Sequence, residues 1–130
     1  MIALDTHAVV WLGENPGRLS RAATRAIESA IENGEELMVS SASFYEIARG
    51  IQRGRIESSV TLDELLAAIE RRFTVAPMTA EIAATAAQLP AGFPRDPFDR
   101  IIAATAMAYR AALITADEQI RKSGVLRVIW

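Results

Sequence analysis

A chain of 130 residues, 51% hydrophobic and 23% charged, is the size of one ordinary domain spanning residues 1–130, and it carries enough apolar material for a core; disorder and repeat arrays are excluded. The net charge of −2 excludes the global basic field of a general polyanion binder, although thirteen of the fourteen basic residues are Arg, the cation that grips phosphate with two donors. Without cysteine there is no disulfide, no thiol nucleophile and no thiolate zinc, so any metal must be held by oxygen or by the single histidine, His7.

Met1 to Leu4 reads as a short buried strand ending on Asp5, with a helix over residues 6 to 13. The start has no basic segment ahead of its apolar residues, unlike a signal peptide, and a cytoplasmic location is expected. Ala23, Ile27, Ala30 and Ile31 recur at helical spacing between Ser20 and the Asn33-Gly34 stop. Leu37 to Val39 is a second strand. Ser43 with Glu46 has the spacing of a capping box at the head of a helix running toward Gly54, and Thr61 with Glu64 repeats it before LLAAIERRF.

Phe73 to Ala76 is a third strand closed by Pro77, and Thr79 opens a helix ending near Leu89 and Pro90. The stretch RDPFDRIIAATA then begins a helix at Asp96, with Pro97 at its first position, that runs to about Arg110. Ala111 to Thr115 and Val125 to Ile129 are the fourth and fifth strands, separated by a short helix, Glu118 to Ser123. The longest apolar run, Ile101 to Ala116, is broken by Arg110 and is shorter than the roughly 20 residues of a membrane span. Short apolar strands alternating with amphipathic helices predict a three-layer α/β domain with a mostly parallel central sheet flanked by helices.

In such a sheet, ligands gather outside the carboxyl ends of the strands. Asp5 and Asp117 lie at or just past such ends, while Glu46, Asp96 and Asp99 begin helices that start at the same edge. Capping accounts for several of these acids singly: Asp96 as an N-cap, Asp99 in the first turn, Glu46 through the box with Ser43, and Asp117 before the last short helix. It does not account for the shared edge. Carboxylates about 4 Å apart repel by on the order of 4 kcal/mol at an effective dielectric near 20, and a divalent cation removes that conflict. An all-oxygen set with open positions suits Mg²⁺ or Mn²⁺.

Thr6, Ser41 and Thr115 stand at strand ends as hydrogen-bond partners for such a site or for the backbone, and Ser43 joins Thr6, Thr115 and Asp96 as an accessory group. His7 reads as a structural or supporting residue. Arg49 and Arg53 lie three and seven positions after Glu46, on its helical face; with Arg95 and Arg100 they are the candidate contacts to phosphates, salt bridging being the alternative use.

LDTHAVVWL, SSASFYEIA, DPFDRIIAATA and LITAD, in that order and spacing, resemble the PIN-domain ribonucleases, and within them the VapC toxins of bacterial toxin–antitoxin pairs, over nearly the whole chain. The resemblance implies a PIN-like parallel α/β fold, an acidic Mg²⁺ or Mn²⁺ site and hydrolysis of RNA phosphodiesters. By position, Asp5, Glu46, Asp99 and Asp117 match the family's four acids as metal-holding and catalytic residues, while Asp96 belongs to the RDPFDR pattern as an accessory or capping residue. It further implies a homodimer and a VapB-like antitoxin as partner.

Other readings of strand-end acids fit less well. A phospho-acceptor receiver domain needs an acidic pair after the first strand, an acceptor aspartate after the third and a lysine near the end of the fifth, whereas Asp5 has no acidic neighbour and the sole lysine is Lys122. A haloacid-type phosphatase needs an aspartate where His7 stands. A catalytically silent PIN-fold module that binds RNA or protein is the alternative that shares the fold.

Overall fold

The computed structural model describes all 130 residues. Its chain order is β1 (Ile2–Leu4), α1 (Thr6–Glu14), a 3₁₀ turn (Pro16–Arg18), α2 (Arg21–Glu32), β2 (Leu37–Ser40), α3 (Ala42–Gln52), α4 (Leu62–Arg72), β3 (Thr74–Ala76), α5 (Ala80–Ala87), α6 (Pro97–Ala108), β4 (Ala112–Ile114), α7 (Glu118–Lys122) and β5 (Val128–Ile129). The five strands form one sheet in the order β3-β2-β1-β4-β5, and every pairing is parallel. The α/β expectation holds. No helix is long and apolar enough to cross a membrane.

The central strands are unbroken apolar runs because both faces are covered. Alternate residues feed two cores. Leu4, Leu37, Val39 and Ile114 pack with Val9, Ala23, Ile27, Ile47 and Leu65 from the helices of one layer. Ala3, Met38 and Leu113 pack with Phe93, Ile102, Ala103, Ala106 and Ile120 on the other. The register sets Leu4 beside Val39 and Ile114, so the carboxyl ends of β1, β2 and β4 finish level with one another.

Chain direction makes one of those gaps special. From β1 the chain moves outward to β2 and β3, and from β4 it moves the other way to β5, so β1 and β4 are the adjacent strands whose connections diverge. A crevice opens there, where no crossover covers the strand ends. Asp5 follows β1, Asp117 follows β4 after Thr115 and Ala116, and the Asp5 N–H donates to the Ile114 carbonyl at 3.0 Å, locking the two strand ends together.

Two local expectations are corrected. The Ser43–Glu46 capping box does not form: α3 starts at Ala42 with Ser41 as its flanking residue, so Ser43 lies within the first turn, and its hydroxyl meets Thr6 instead of the helix backbone. The box at Thr61 and Glu64 forms as expected. The fifth strand shrinks to Val128–Ile129, because Gly124 takes a positive φ of 68° and turns the chain before it can pair with β4.

Candidate active site

The crevice widens into a groove of about 1290 Å³ whose lining includes Asp5, Thr6, His7, Glu46, Asp96, Asp99 and Asp117. Three of the acids are held by their own helix caps. Asp5 is the N-cap of α1 and accepts from the Ala8 N–H at 2.8 Å; Asp117 caps α7 by accepting from the Ile120 N–H at 2.9 Å. Asp96 caps α6, accepting from the N–H groups of Phe98 at 2.8 Å and Asp99 at 3.3 Å. That leaves Asp99, one turn in, with no hydrogen-bond partner for its carboxylate in the protein. Capping and convergence prove compatible: the caps use one oxygen of Asp5 and one of Asp117 and leave the other.

Glu46 is set by a relay. The Thr6 hydroxyl contacts both the Ser43 hydroxyl, at 3.0 Å, and the Glu46 carboxylate. One hydroxyl proton cannot serve both, so Thr6 donates to ionised Glu46 and accepts from Ser43. Ser43 is fully buried and acts on the site only through Thr6. Thr115 is fully buried as well; its hydroxyl accepts from the Asp117 N–H at 3.1 Å and interacts with Asp5. Ser41 is taken up by the Met78 N–H at 3.2 Å.

The electrostatics are those of crowded carboxylates. Burial pushes the Asp99 carboxyl up to about 7, and Asp96, Glu46, Asp117 and Asp5 push in the same direction. Part of Asp5 is open to the groove, yet burial of its carboxylate dominates and raises its pKa against the opposing effects of Thr115, the Ala8 N–H and His7. Glu46 is raised by burial, with the Thr6 bond lowering it and Asp96 adding to the rise. His7 lowers the proton affinity of Asp5 and Glu46, and its ring packs at a tilt against Trp11, 5.7 Å between centroids.

A hard divalent cation fits the donor chemistry of this cluster: oxygen only, acids whose burial and mutual repulsion raise the proton affinity of Asp5, Glu46 and Asp99, and caps that engage one oxygen each of Asp5 and Asp117. In this arrangement no three of the carboxylates close around a common point. Glu46 is engaged by Thr6, and one oxygen each of Asp5 and Asp117 is engaged by its own cap.

The arginines divide. Arg49 and Arg53 line the groove as their spacing from Glu46 implied. Arg100 does not: its guanidinium donates to the carbonyls of Ala86 at 2.9 Å, Leu89 at 2.8 Å and Pro94 at 3.1 Å, tying α6 to the α5–α6 connection, which withdraws it from phosphate contact. Arg95 is exposed just before Asp96 and is not part of the groove lining. Sequence reasoning missed Arg18 and Arg55, which also line the groove, and Trp11, over whose ring the Arg18 guanidinium lies at 4.5 Å.

Residues 2–126 match the PIN domain family. The chain is 37% identical over 120 residues to Ribonuclease VapC22 of Mycobacterium tuberculosis, covering 92% of this chain and 89% of that protein. Among solved structures it is similar to VapBC2 from Rickettsia felis bound to a promoter DNA fragment, with a TM-score of 0.73, 19% identity and coverage of 98% and 97% of the two chains. It is also similar to FitAcB from Neisseria gonorrhoeae, with a TM-score of 0.70, 20% identity and coverage of 98% and 96%. At these identities the structural likenesses speak for the fold.

Proposed function

The chain belongs to the PIN-domain family, and from that premise we propose that it is a Mg²⁺- or Mn²⁺-dependent endoribonuclease, the toxin of a toxin–antitoxin pair. The observation that carries this reading is the gathering of Asp5, Glu46, Asp99 and Asp117 on one groove at the β1/β4 divergence. The 37% identity to a protein named as a ribonuclease supports it, as do the VapBC and FitAcB neighbours for an antitoxin partner. A homodimer, a VapB-like antitoxin and a cytoplasmic location complete the reading.

These four acids would hold a divalent cation, which would supply charge to polarise the phosphodiester and acidity to activate water. Asp5 and Asp117 are the fixed members of the set, since caps and strand ends hold them. Asp99 is the adjustable one. With no protein partner for its carboxylate, and its proton affinity raised by burial and by the neighbouring acids, Asp99 would give up its proton on joining the ligands of the cation. Thr6 holds Glu46 by donating to its carboxylate, with Ser43 behind it; Asp96 supports the start of α6 and adds negative charge near Asp99. Arg49 and Arg53 contact backbone phosphates.

The test is cleavage of mixed cellular RNA by antitoxin-free protein in Mg²⁺, in Mn²⁺ and in chelator, with Asp5→Ala alongside. Cutting that requires metal and disappears in the variant is expected. Well-folded protein that cuts no RNA with either metal contradicts the nuclease reading and leaves a binding module.

A further inference from the structure

The groove does not end at the acids. It runs between α1 and α3, which leave adjacent parallel strands at the same rim, and along both helices the lining changes character with distance from the sheet. On α3 the lining residues are Glu46, Arg49, Gly50 and Arg53, a helical face that travels about 10 Å from acid to base. On α1 it passes from Asp5 and Thr6 to Trp11 and Glu14, and the following 3₁₀ turn adds Arg18.

The far wall is closed by the α3–α4 loop, and the loop is built to stand there. The N–H groups of Arg55 and Ile56 donate to the Gly50 carbonyl at 2.8 and 3.0 Å, which folds the chain back on α3. A Cβ on Gly50 would sit 2.4 Å from Ile56 Cδ1, so only glycine admits this approach, and Gly54 takes a φ of 69° to make the turn. From the other side the Glu14 carboxylate accepts from the Ser59 N–H at 3.2 Å, the Ser59 hydroxyl at 2.9 Å and the Ser58 hydroxyl at 3.0 Å. Those bonds hold its carboxyl below the usual range.

Arg18, Arg49, Arg53 and Arg55 therefore face one channel. The ion pairs of the chain are Met1–Glu35, Arg121–Glu118 and Lys122–Glu118, so none of the four is bound to a carboxylate, although Glu14 and Glu57 stand nearby. Guanidinium groups free of ion pairs and gathered along one channel are the combination that tracks a nucleic-acid backbone; one of them, Arg18, lies over the half-buried Trp11 ring at 4.5 Å, and His7 and Trp130 pack against the same indole.

Resting on the ribonuclease reading above, we infer that this far half of the groove is a phosphate track for single-stranded RNA, in which Arg18, Arg49, Arg53 and Arg55 hold the backbone on one side of the bond presented to the acids. The acids repel phosphate and the arginines attract it, so a strand is anchored away from the acidic end and delivered into it. Gly50 and Glu14 are positioning residues, acting by placing the loop that carries Arg55.

The test is fluorescence anisotropy of a labelled 12-nucleotide single-stranded RNA of mixed sequence, titrated with the whole chain in chelator across a range of salt. Arg53→Ala/Arg55→Ala is expected to weaken binding at least tenfold at low salt and to flatten the slope of log affinity against log salt by about 1.4, two contacts at about 0.7 each. Arg25→Ala/Arg71→Ala, which removes two exposed arginines that are not groove residues, is expected to leave both quantities unchanged. A 12-base-pair RNA duplex is expected to bind more weakly than the single strand.

Equal losses in the two double variants, no RNA binding by the unaltered chain, or a preference for duplex overturns the track. So does arginine-dependent binding of an oligoglutamate peptide without RNA binding, which assigns the wall to an acidic protein partner. Arginine-dependent RNA binding without cleavage in Mg²⁺ or Mn²⁺ keeps the track and removes the nuclease reading; cleavage with binding indifferent to Arg53 and Arg55 does the reverse.

Discussion

The two ends of the groove are built by different means. At the acidic end, Asp5 and Asp117 follow buried strands and are fixed by their own capping bonds, so the sheet itself determines where they stand. At the basic end, the side chains come from an exposed helix face, a 3₁₀ turn and a loop, and none is held by an ion pair. Groups that handle charge in a reaction need preorganised positions, whereas groups that grip a flexible polyanion tolerate adjustment. Asp5 and Asp117 thus supply two fixed points beside the unpartnered Asp99 at the end where the chemistry is proposed.

The comparison predicts which substitutions cost activity and which cost only stability. The largest effect belongs to the acids: Asp5→Ala or Asp99→Asn is expected to lower RNA cleavage by at least about a hundredfold, the scale of one lost acid–base or charge-stabilising group, with circular dichroism unchanged. Retained activity in Asp99→Asn breaks the assignment of that end. Arg100→Ala is expected to act in the opposite sense. It removes three charge-assisted bonds to carbonyls and costs about 3 kcal/mol in urea unfolding, while folded protein keeps its RNA affinity. A loss of affinity without loss of stability returns Arg100 to the phosphate-binding set.

The third effect is smaller and depends on pH. Asp99 binds its proton more tightly folded than unfolded, with a pKa of about 7 against an ordinary value of 3.8. A raised acid leaves the fold most stable below the lower value and erodes stability as pH climbs toward the upper one. In chelator, Asp99→Asn is therefore expected to stabilise the protein by about 1–2 kcal/mol at pH 8, after allowance for solvent screening, and by nothing near pH 4. A pH-independent difference in unfolding free energy contradicts the crowding of charge at this end. The smallest effect is that of Asp96→Ala, about 1 kcal/mol of stability through loss of the α6 cap, with cleavage reduced far less than in Asp99→Asn.

The same contrast governs what the sequence discloses. Asp5 is legible because a charged residue directly after a buried apolar run has few places to go, whereas Asp117, two residues past such a run, is equally explained by capping the last short helix, which it does. Asp96 caps α6 as its place before Pro97 implied, and both it and Asp99 line the groove. What the sequence conceals is contact across distance. Ser43 has capping-box spacing to Glu46, yet both are claimed by Thr6, about forty residues away in the chain.

Arg100 looks like any exposed arginine until the carbonyls that end α5 surround it. Arg55 joins the groove only because Gly50 lets Ile56 approach, and Arg18 only because a 3₁₀ turn follows α1; neither carries a periodic signal. The fifth strand was overextended for a related reason, since Val125 and Leu126 are apolar through packing against the core without joining the ladder.

The claim on which all else depends is that the acidic end takes up a divalent cation. It is tested most directly by calorimetric titration of Mn²⁺ into the antitoxin-free chain at pH 7, in two buffers of different ionisation enthalpy, beside Asp99→Asn. Saturable binding is expected, with proton release as the raised carboxyl of Asp99 ionises, and both the affinity and the proton release are diminished in the variant. Folded protein that binds no Mn²⁺, or binds it equally well without the Asp99 carboxylate, contradicts the account.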